Sequence, residues 1–327
     1  MELKYLFNNT DLALMLLKNW EYDESSLDMF QYFRISANAV YPFRQQNQIC
    51  LLRFCPCLEK PQAYLTAELE FINYLRSRHY QALEPLPAKN GELLVRKATP
   101  WGEYYACVFK RVCGTALNEL SLDDNILRVY GAALGRLHNL SRAYTSPAAK
   151  RWTHADVLTW IEETLHTVSD DRTALEEVKL LDRYFSALPV NRENYGLVHY
   201  DFEFDNVFYD KSTNACHVID FDDAMYHWYI MDIEQALDTL KSEVPNEEFE
   251  QAKTVFLGGY ETECSMETDW QEKQPFFRRF ADLYAYTRVA KSLRECWDNE
   301  PEWLVDLRKH LKNILAEKSI NFGKLWK

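Results

Sequence analysis

The chain has 327 residues, 47% hydrophobic and 27% charged, an ordinary globular composition that excludes a disordered or collagen-like chain. At about 150 residues per domain this is two domains or one two-lobed unit, long enough to bury about three quarters of its unfolded surface without a disulfide or metal staple. The balance of 37 Lys and Arg against 50 Asp and Glu gives a net charge of −13, which excludes nucleic-acid recruitment by bulk electrostatics and leaves cationic small molecules tolerated.

The opening stretch reads as an amphipathic helix, with Leu12, Met15, Leu16 and Trp20 at helical spacing and Thr10 or Asp11 as N-cap. It lacks a basic leader and a small-residue cleavage site, which points away from a secretory signal. No apolar run approaches the ~18 residues of a membrane span. Three strands follow: FQYFRIS (30–36), AVYPFRQQ (39–46) and QICLLRFCP (48–56). AYLTAELEFINYLRSRH (63–79) is helical, with its stripe on Tyr64, Leu65, Leu69, Ile72 and Leu75. GELLVRKAT and EYYACVFKRV read as two further strands around a TPWG turn. Residues 1–112 are therefore a β-rich unit with one important helix, and Gly114 is a candidate flexible joint to residues 113–327.

Beyond Gly114 the pattern turns helical, with segments at 125–141, 154–168, 176–188, 232–240, 247–261, 275–293 and 301–318. A strand island interrupts at 196–221, in GLVHYDF, NVFYD and ACHVIDF. Eight cysteines are scattered, and only Cys55 and Cys57 lie close together. No second pair or HxxxH follows, so a zinc site is not expected; reduced thiols in a cytoplasmic protein are.

The strand island carries the chemistry. His199, Asp201 and Asn206 have the spacing H-x-D-x-x-x-x-N, and Asp220 opens a D-F-D downstream. Asp201, Asn206 and Asp220 are oxygen donors of the kind hard cations prefer, and each is flanked by apolar, strand-forming residues. Polar groups hung from apolar strands are costly to bury unless something satisfies them. A divalent ion with phosphate oxygens would do so, and one carboxylate is left to receive the proton of an attacking hydroxyl. The plain alternative is a hairpin whose Asp and Asn cap turns.

With these motifs the chain resembles the aminoglycoside phosphotransferase and choline kinase-like family, relatives of the protein kinase fold, over nearly its whole length. The resemblance implies an α+β, two-lobed protein kinase-like fold: a small antiparallel-sheet lobe with one key helix (1–112) and a larger, mainly helical lobe (113–327). It implies Asp201 as catalytic base, Asn206 and Asp220 as Mg2+ ligands, and His199 as a residue that orients the loop. The phosphate-covering loop falls on Ser36-Ala37-Asn38-Ala39-Val40, which has no glycine, so Ser36 and Asn38 become candidate phosphate donors. The third-strand lysine of the family is absent here, and Arg53 takes its place, since arginine binds phosphate through two parallel bonds. Glu68 matches the helix glutamate that pairs with that cation, with Glu70 as a rival. Phe109, Lys110, Arg111 and Val112 match the connector whose backbone receives adenine.

The implied reaction is ATP-dependent (or GTP-dependent) phosphorylation of a small-molecule hydroxyl with Mg2+, a cationic aminoglycoside or amino alcohol among the candidate acceptors. No nucleic-acid or membrane partner is expected. Glu203, Asp222, Asp223 and Trp228, with Asp205, Asp232, Tyr226 and Tyr229 nearby, are the candidate acceptor residues. A protein Ser/Thr kinase and a non-catalytic nucleotide-binding module are the alternatives. Tyr200 stands where protein kinases carry arginine and the metal motif is D-F-D-D, which predicts a constitutively assembled site.

Overall fold

A computed structural model describes residues 2–147, 150–169 and 171–324. Helix α1 (Thr10–Leu17) opens one residue earlier than the expected caps suggest. Its cap is Asn9, whose Oδ1 accepts the Leu12 N–H at 2.9 Å. The expected strand 30–36 is mostly absent. Glu24–Tyr32 form a 3-10 helix, and only Arg34–Ile35 (β1) are extended. The reason is packing: the rings of Phe30 and Phe33 lie against Tyr41 at 5.1 and 5.5 Å. Aromatic enrichment there marks burial against a sheet, not membership of it.

Strands β2 (Ala39–Gln45) and β3 (Gln48–Pro56) form a hairpin closed by Gln46 and Asn47, both at positive φ. Helix α2 (Gln62–Ser77), the short β4 (Glu84–Leu86), β5 (Val95–Thr99) and β6 (Gly102–Lys110) complete the small lobe. The antiparallel sheet runs β1-β2-β3-β6-β4, with β5 also on β6. One face buries Tyr41, Phe43, Leu52 and Val108 against Leu12, Leu16 and Trp20. Helix α2 instead joins the core of the large lobe, where Phe71 meets Phe221 at 5.9 Å.

The large lobe contains β7 (Thr115–Ala116), α3 (Asp124–Ala143), α4 (His154–Val168) and α5 (Arg172–Ala187). Four short strands follow: β8 (Tyr195–Val198), β9 (Val207–Asp210), β10 (Ala215–Val218) and β11 (Met225–Trp228). Helices α6 (Ile230–Glu243), α7 (Phe249–Glu261), α8 (Trp270–Ser292) and α9 (Glu302–Lys318) close the chain. No described helix is long and apolar enough to cross a membrane, and all eight cysteines are free thiols.

Gly114 is not a loose joint. At φ +93 it lets the backbone pass so close to Tyr209 that a Cβ would overlap that residue's carbonyl. Helices α3 and α7 also meet backbone to backbone: a Cβ at Gly131 would strike the Phe256 carbonyl, and one at Gly259 the Arg128 carbonyl. Gly258, one position away, faces open space. Gly131→Ala should therefore cost about 1–3 kcal/mol through overpacking, whereas Gly258→Ala should be neutral or stabilising by up to about 1 kcal/mol from helix propensity. Urea midpoints of the two variants check the opposite signs.

Candidate active site

Two loops face each other at the lobe interface. Residues 199–206 connect β8 to β9, and residues 219–224 connect β10 to β11. Both hang from short antiparallel ladders, β8 on β11 and β9 on β10, so strand register sets their relative height. Ile219 staples them together. Its N–H donates to the Asn206 carbonyl at 3.0 Å, and its own carbonyl accepts from His199 Nε2 at 2.9 Å.

His199 is fully buried, and burial pushes its pKa down, so the ring is neutral. With Nε2 donating, Nδ1 is the acceptor for the Asp201 N–H at 3.2 Å. The histidine thus ties the backbone of Asp201 to the residue preceding Asp220. Asn206 Nδ2 donates to the Asp201 carbonyl at 3.0 Å and to Asp201 Oδ2 at 2.9 Å, which turns its Oδ1 the other way.

Tyr200 sits at φ +71, a strained conformation for a residue with a Cβ. Asp232 in the first turn of α6 holds it there. Oδ1 accepts the Tyr200 N–H at 2.6 Å, and Oδ2 accepts the His199 N–H at 2.8 Å and pairs with His138 Nε2 at 2.9 Å. Asp232 is fully buried, so its role is to position this loop and not to contact an acceptor.

The cation expected on β3 is in place. Arg53 makes a two-bond fork to Glu68, at 2.8 and 2.7 Å, and both residues are buried. Burial works against the Arg53 charge, but the Glu68 carboxylate raises its pKa well above the usual value. Nη1 lies 3.9 Å from Asp220 Oδ1. Glu70 makes no such fork.

Asp220 is itself left-handed, at φ +61, and its buried Oδ1 has no hydrogen-bond partner. Burial and then the neighbouring Asp222 push its pKa up; burial, Asp223, Glu203 and Asp220 push that of Asp201 well up. Unbalanced negative charge and an orphaned carboxylate oxygen, beside an amide oxygen, suit a hard divalent cation. No set of three or more His, Cys, Asp or Glu forms a complete cage among the described residues. Such a cation would need outside oxygens, as magnesium usually takes from phosphates.

A groove of about 520 Å3 opens between the lobes over these residues. Val40, Leu51, Leu83, Phe109, Phe208 and Ile219 supply apolar walls, and Asp201, Asn206, Asp220 and Arg53 the polar end. The connector 109–112 lines it, although the Arg111 N–H is already spent on the Ile49 carbonyl at 3.0 Å. Ser36 lines the groove, its N–H closing the turn onto the Asn38 carbonyl at 3.0 Å. A smaller cavity of about 120 Å3 adjoins it, lined by Tyr64, Trp152, Trp160 and Tyr284, and shares Ala37, Asp222, Asp223 and Arg288 with the groove.

Three expected roles need correction. Both ends of the Asn38 amide are taken, by Asp222 at 3.1 Å and by Lys60 at 3.1 Å, so it anchors the turn and is no free phosphate donor. Asp222 commits Oδ2 to Lys60 and Asn38, while the residue lines both cavities and its Oδ1 has no hydrogen-bond partner. Glu203 is not among the residues lining either cavity; its charged neighbours are Asp205, Asp238, Lys318 and Arg278. Trp228 is 1% exposed, stacked on Phe185 at 5.3 Å with its indole N–H on the Pro189 carbonyl; Tyr229 is likewise core. Asp223 also lines both cavities, paired with Arg288 at 2.5 Å.

Sequence reasoning missed Lys60 and Arg151. The Arg151 guanidinium lies 3.5 Å from the centre of the Tyr64 ring and donates to the carbonyls of Ala224, Phe221 and Asp222. It clamps the 219–224 loop from a segment with no periodic pattern, so no linear signal marked it.

Fold and site together define a kinase-like phosphotransferase. Residues 36–308 match the family described as "Phosphotransferase enzyme family", and the chain belongs to that family. It is an ATP-dependent phosphotransferase that acts on a hydroxyl of a small molecule. Amicoumacin kinase of Bacillus subtilis (strain 168) is 24% identical over 315 residues, covering 92% of each chain. Among solved structures, an amicoumacin kinase in complex with AMP-PNP, Ca2+ and Ami has a TM-score of 0.75 at 20% identity, over 96% of this chain and 95% of that one. The microcompartment-associated aminopropanol kinase has a TM-score of 0.66 at 18% identity, over 95% of each. Spectinomycin phosphotransferase APH(9)-Ia, with ADP and spectinomycin, has a TM-score of 0.58 at 13% identity, over 98% and 99%.

Truncating Glu68 to alanine should strand a buried guanidinium and cost about 3–5 kcal/mol of stability. Chemical denaturation measures it, and a loss no larger than that of an exposed glutamate would mean that the fork carries no weight.

Proposed function

We propose that Asp201 is the base, that Asn206 and Asp220 hold Mg2+, and that the small aromatic cavity takes the acceptor, an amine-bearing alcohol of few atoms. The observation that supports this most directly is the meeting of Asp201, Asn206 and Asp220 at one end of the groove, joined through Ile219. Magnesium, when bound, neutralises charge on the nucleotide phosphates.

The residues of the chain do the rest. Leu51 and Ile219 sandwich the base from the two lobes. With the Arg111 N–H bonded to the Ile49 carbonyl, the backbone at Val112, which also lines the groove, is the part of the connector left to meet the base. Arg53, set by Glu68, aligns the phosphates as a fixed two-pronged donor. Asp201 accepts the proton of the acceptor hydroxyl as its oxygen bonds to the γ-phosphorus and the bond to the ADP oxygen breaks. Asn206 keeps that carboxylate aimed by donating to Oδ2. Catalysis of this kind is positioning and fixed charge.

The acceptor class follows from size and lining. About 120 Å3 suits a compact molecule, not a multi-ring one. Arg151, Lys291 and Arg288 already lie over Tyr64, Trp160 and Tyr284, so an ammonium group would be received by Trp152 and by the Glu2, Glu59 and Asp223 carboxylates that line the cavity. Among the relatives' named substrates, aminopropanol has this size and carries both an amine and a hydroxyl.

Asp201→Asn should lower acceptor-dependent ADP release by about 10²–10⁴-fold with nucleotide affinity retained; full activity in that variant would overturn the assignment. In a panel of small amino alcohols, aminoglycosides and sugars with ATP or GTP, the small amino alcohols should be turned over best. Trp160→Ala should raise KM for the acceptor and leave KM for the nucleotide unchanged.

A further inference from the structure

The turn that covers the groove, residues 36–38 between β1 and β2, is short and contains no glycine. Glycine normally lets such a turn approach phosphate and change shape. Here a buried ring of three side chains holds it in place instead. Asn38 Nδ2 donates to Asp222 Oδ2 at 3.1 Å, Lys60 Nζ donates to Asn38 Oδ1 at 3.1 Å, and Lys60 Nζ also bonds Asp222 Oδ2. Each group contacts the other two. The Asn38 and Asp222 residues are 6% and 4% exposed, and the Lys60 side chain is 16% exposed.

The three come from three different elements. Asn38 belongs to the covering turn, Lys60 to the link between β3 and α2, and Asp222 to the loop just after Asp220. Asp222 is the one rooted in the large lobe, where Arg151 clamps its carbonyl. The ring therefore ties a small-lobe turn to the large lobe across the mouth of the groove. Lys60 lines the acceptor cavity, while Asn38 lines the nucleotide groove and Asp222 lines both. It stands on the partition between donor and acceptor.

Opening the turn breaks the Asn38 bonds to a buried ion pair, and charge-assisted bonds of that kind are the strong ones. Closure is thereby made the preferred state without any bound ligand. We propose that Lys60 is a positioning residue that latches the β1–β2 turn through Asn38, retaining the nucleotide and excluding water from its phosphates. This rests on reading the groove as the nucleotide site.

The test uses the full-length chain with a fluorescent ADP analogue (mant-ADP) and Mg2+ in stopped flow. Asn38→Ala leaves the Lys60–Asp222 pair intact and so keeps a folded protein. It should speed mant-ADP release by at least about tenfold, since loss of a closing contact acts on the off-rate. Acceptor-independent ATP hydrolysis should rise in the same variant. Lys60→Met should match it, Lys60→Arg should restore most of the slow release, and the Asn38→Ala/Lys60→Met double variant should be no faster than the faster single, because the two act as one unit. A release rate unchanged in Asn38→Ala at an unchanged thermal midpoint would overturn the latch. A purely structural Lys60 would lower that midpoint and leave release and hydrolysis alone, which also overturns it. Release of mant-ADP needs no acceptor, so the latch stands or falls separately from the proposed phosphotransfer roles.

Discussion

A single buried carboxylate, Asp232, holds the site in shape. Lying in the first turn of α6, where the helix end favours negative charge, it collects two consecutive amides of the loop after β8 and one histidine. Those bonds keep Tyr200 in a backbone conformation that residues with a Cβ rarely adopt. The kink they hold is what turns Asp201 out of the strand line and toward the groove. His199 then passes the constraint on to Ile219, so the two functional loops share one frame.

Around that frame the active-site acids are matched to bases from distant parts of the chain. Glu68 is matched to Arg53, Asp222 to Lys60, and Asp223 to Arg288. The first two pairs are largely buried, so an unpaired member would be costly, whereas Arg288 is partly exposed. Asp220 has no hydrogen-bonded base of its own, and its buried Oδ1 lacks a hydrogen-bond partner, as does Asp222 Oδ1. A groove lined by two neighbouring carboxylates that each keep a buried, unpartnered oxygen is organised for a cation that arrives from outside. The proposed roles of Asp201, Asn206 and Asp220 agree with that excess of unpartnered oxygen.

Much of this was legible along the chain. The helical periods, the strand island and the Asp201, Asn206, Asp220 set are local patterns, and the resemblance they carry led to the Arg53–Glu68 pairing. Errors arose where burial looked like function or like strand. Phe30 and Phe33 are aromatic because they cover a sheet, and Trp228 is aromatic because it fills the core between Phe185 and Phe277. Acidic clustering misled as well, since Asp232 and Glu203 are adjacent in sequence terms to the site yet serve other partners.

What the residues determined alone was the order of elements and the identity of the oxygen donors, because periodicity and motif spacing are properties of a few consecutive residues. What only the tertiary structure decided was which charges meet. Lys60 with Asn38 and Asp222, Arg151 over Tyr64, and the four aromatic walls of the small cavity join segments far apart in the chain. Their encounter depends on how the lobes pack, and buried charge has no repeat by which a linear pattern can announce it.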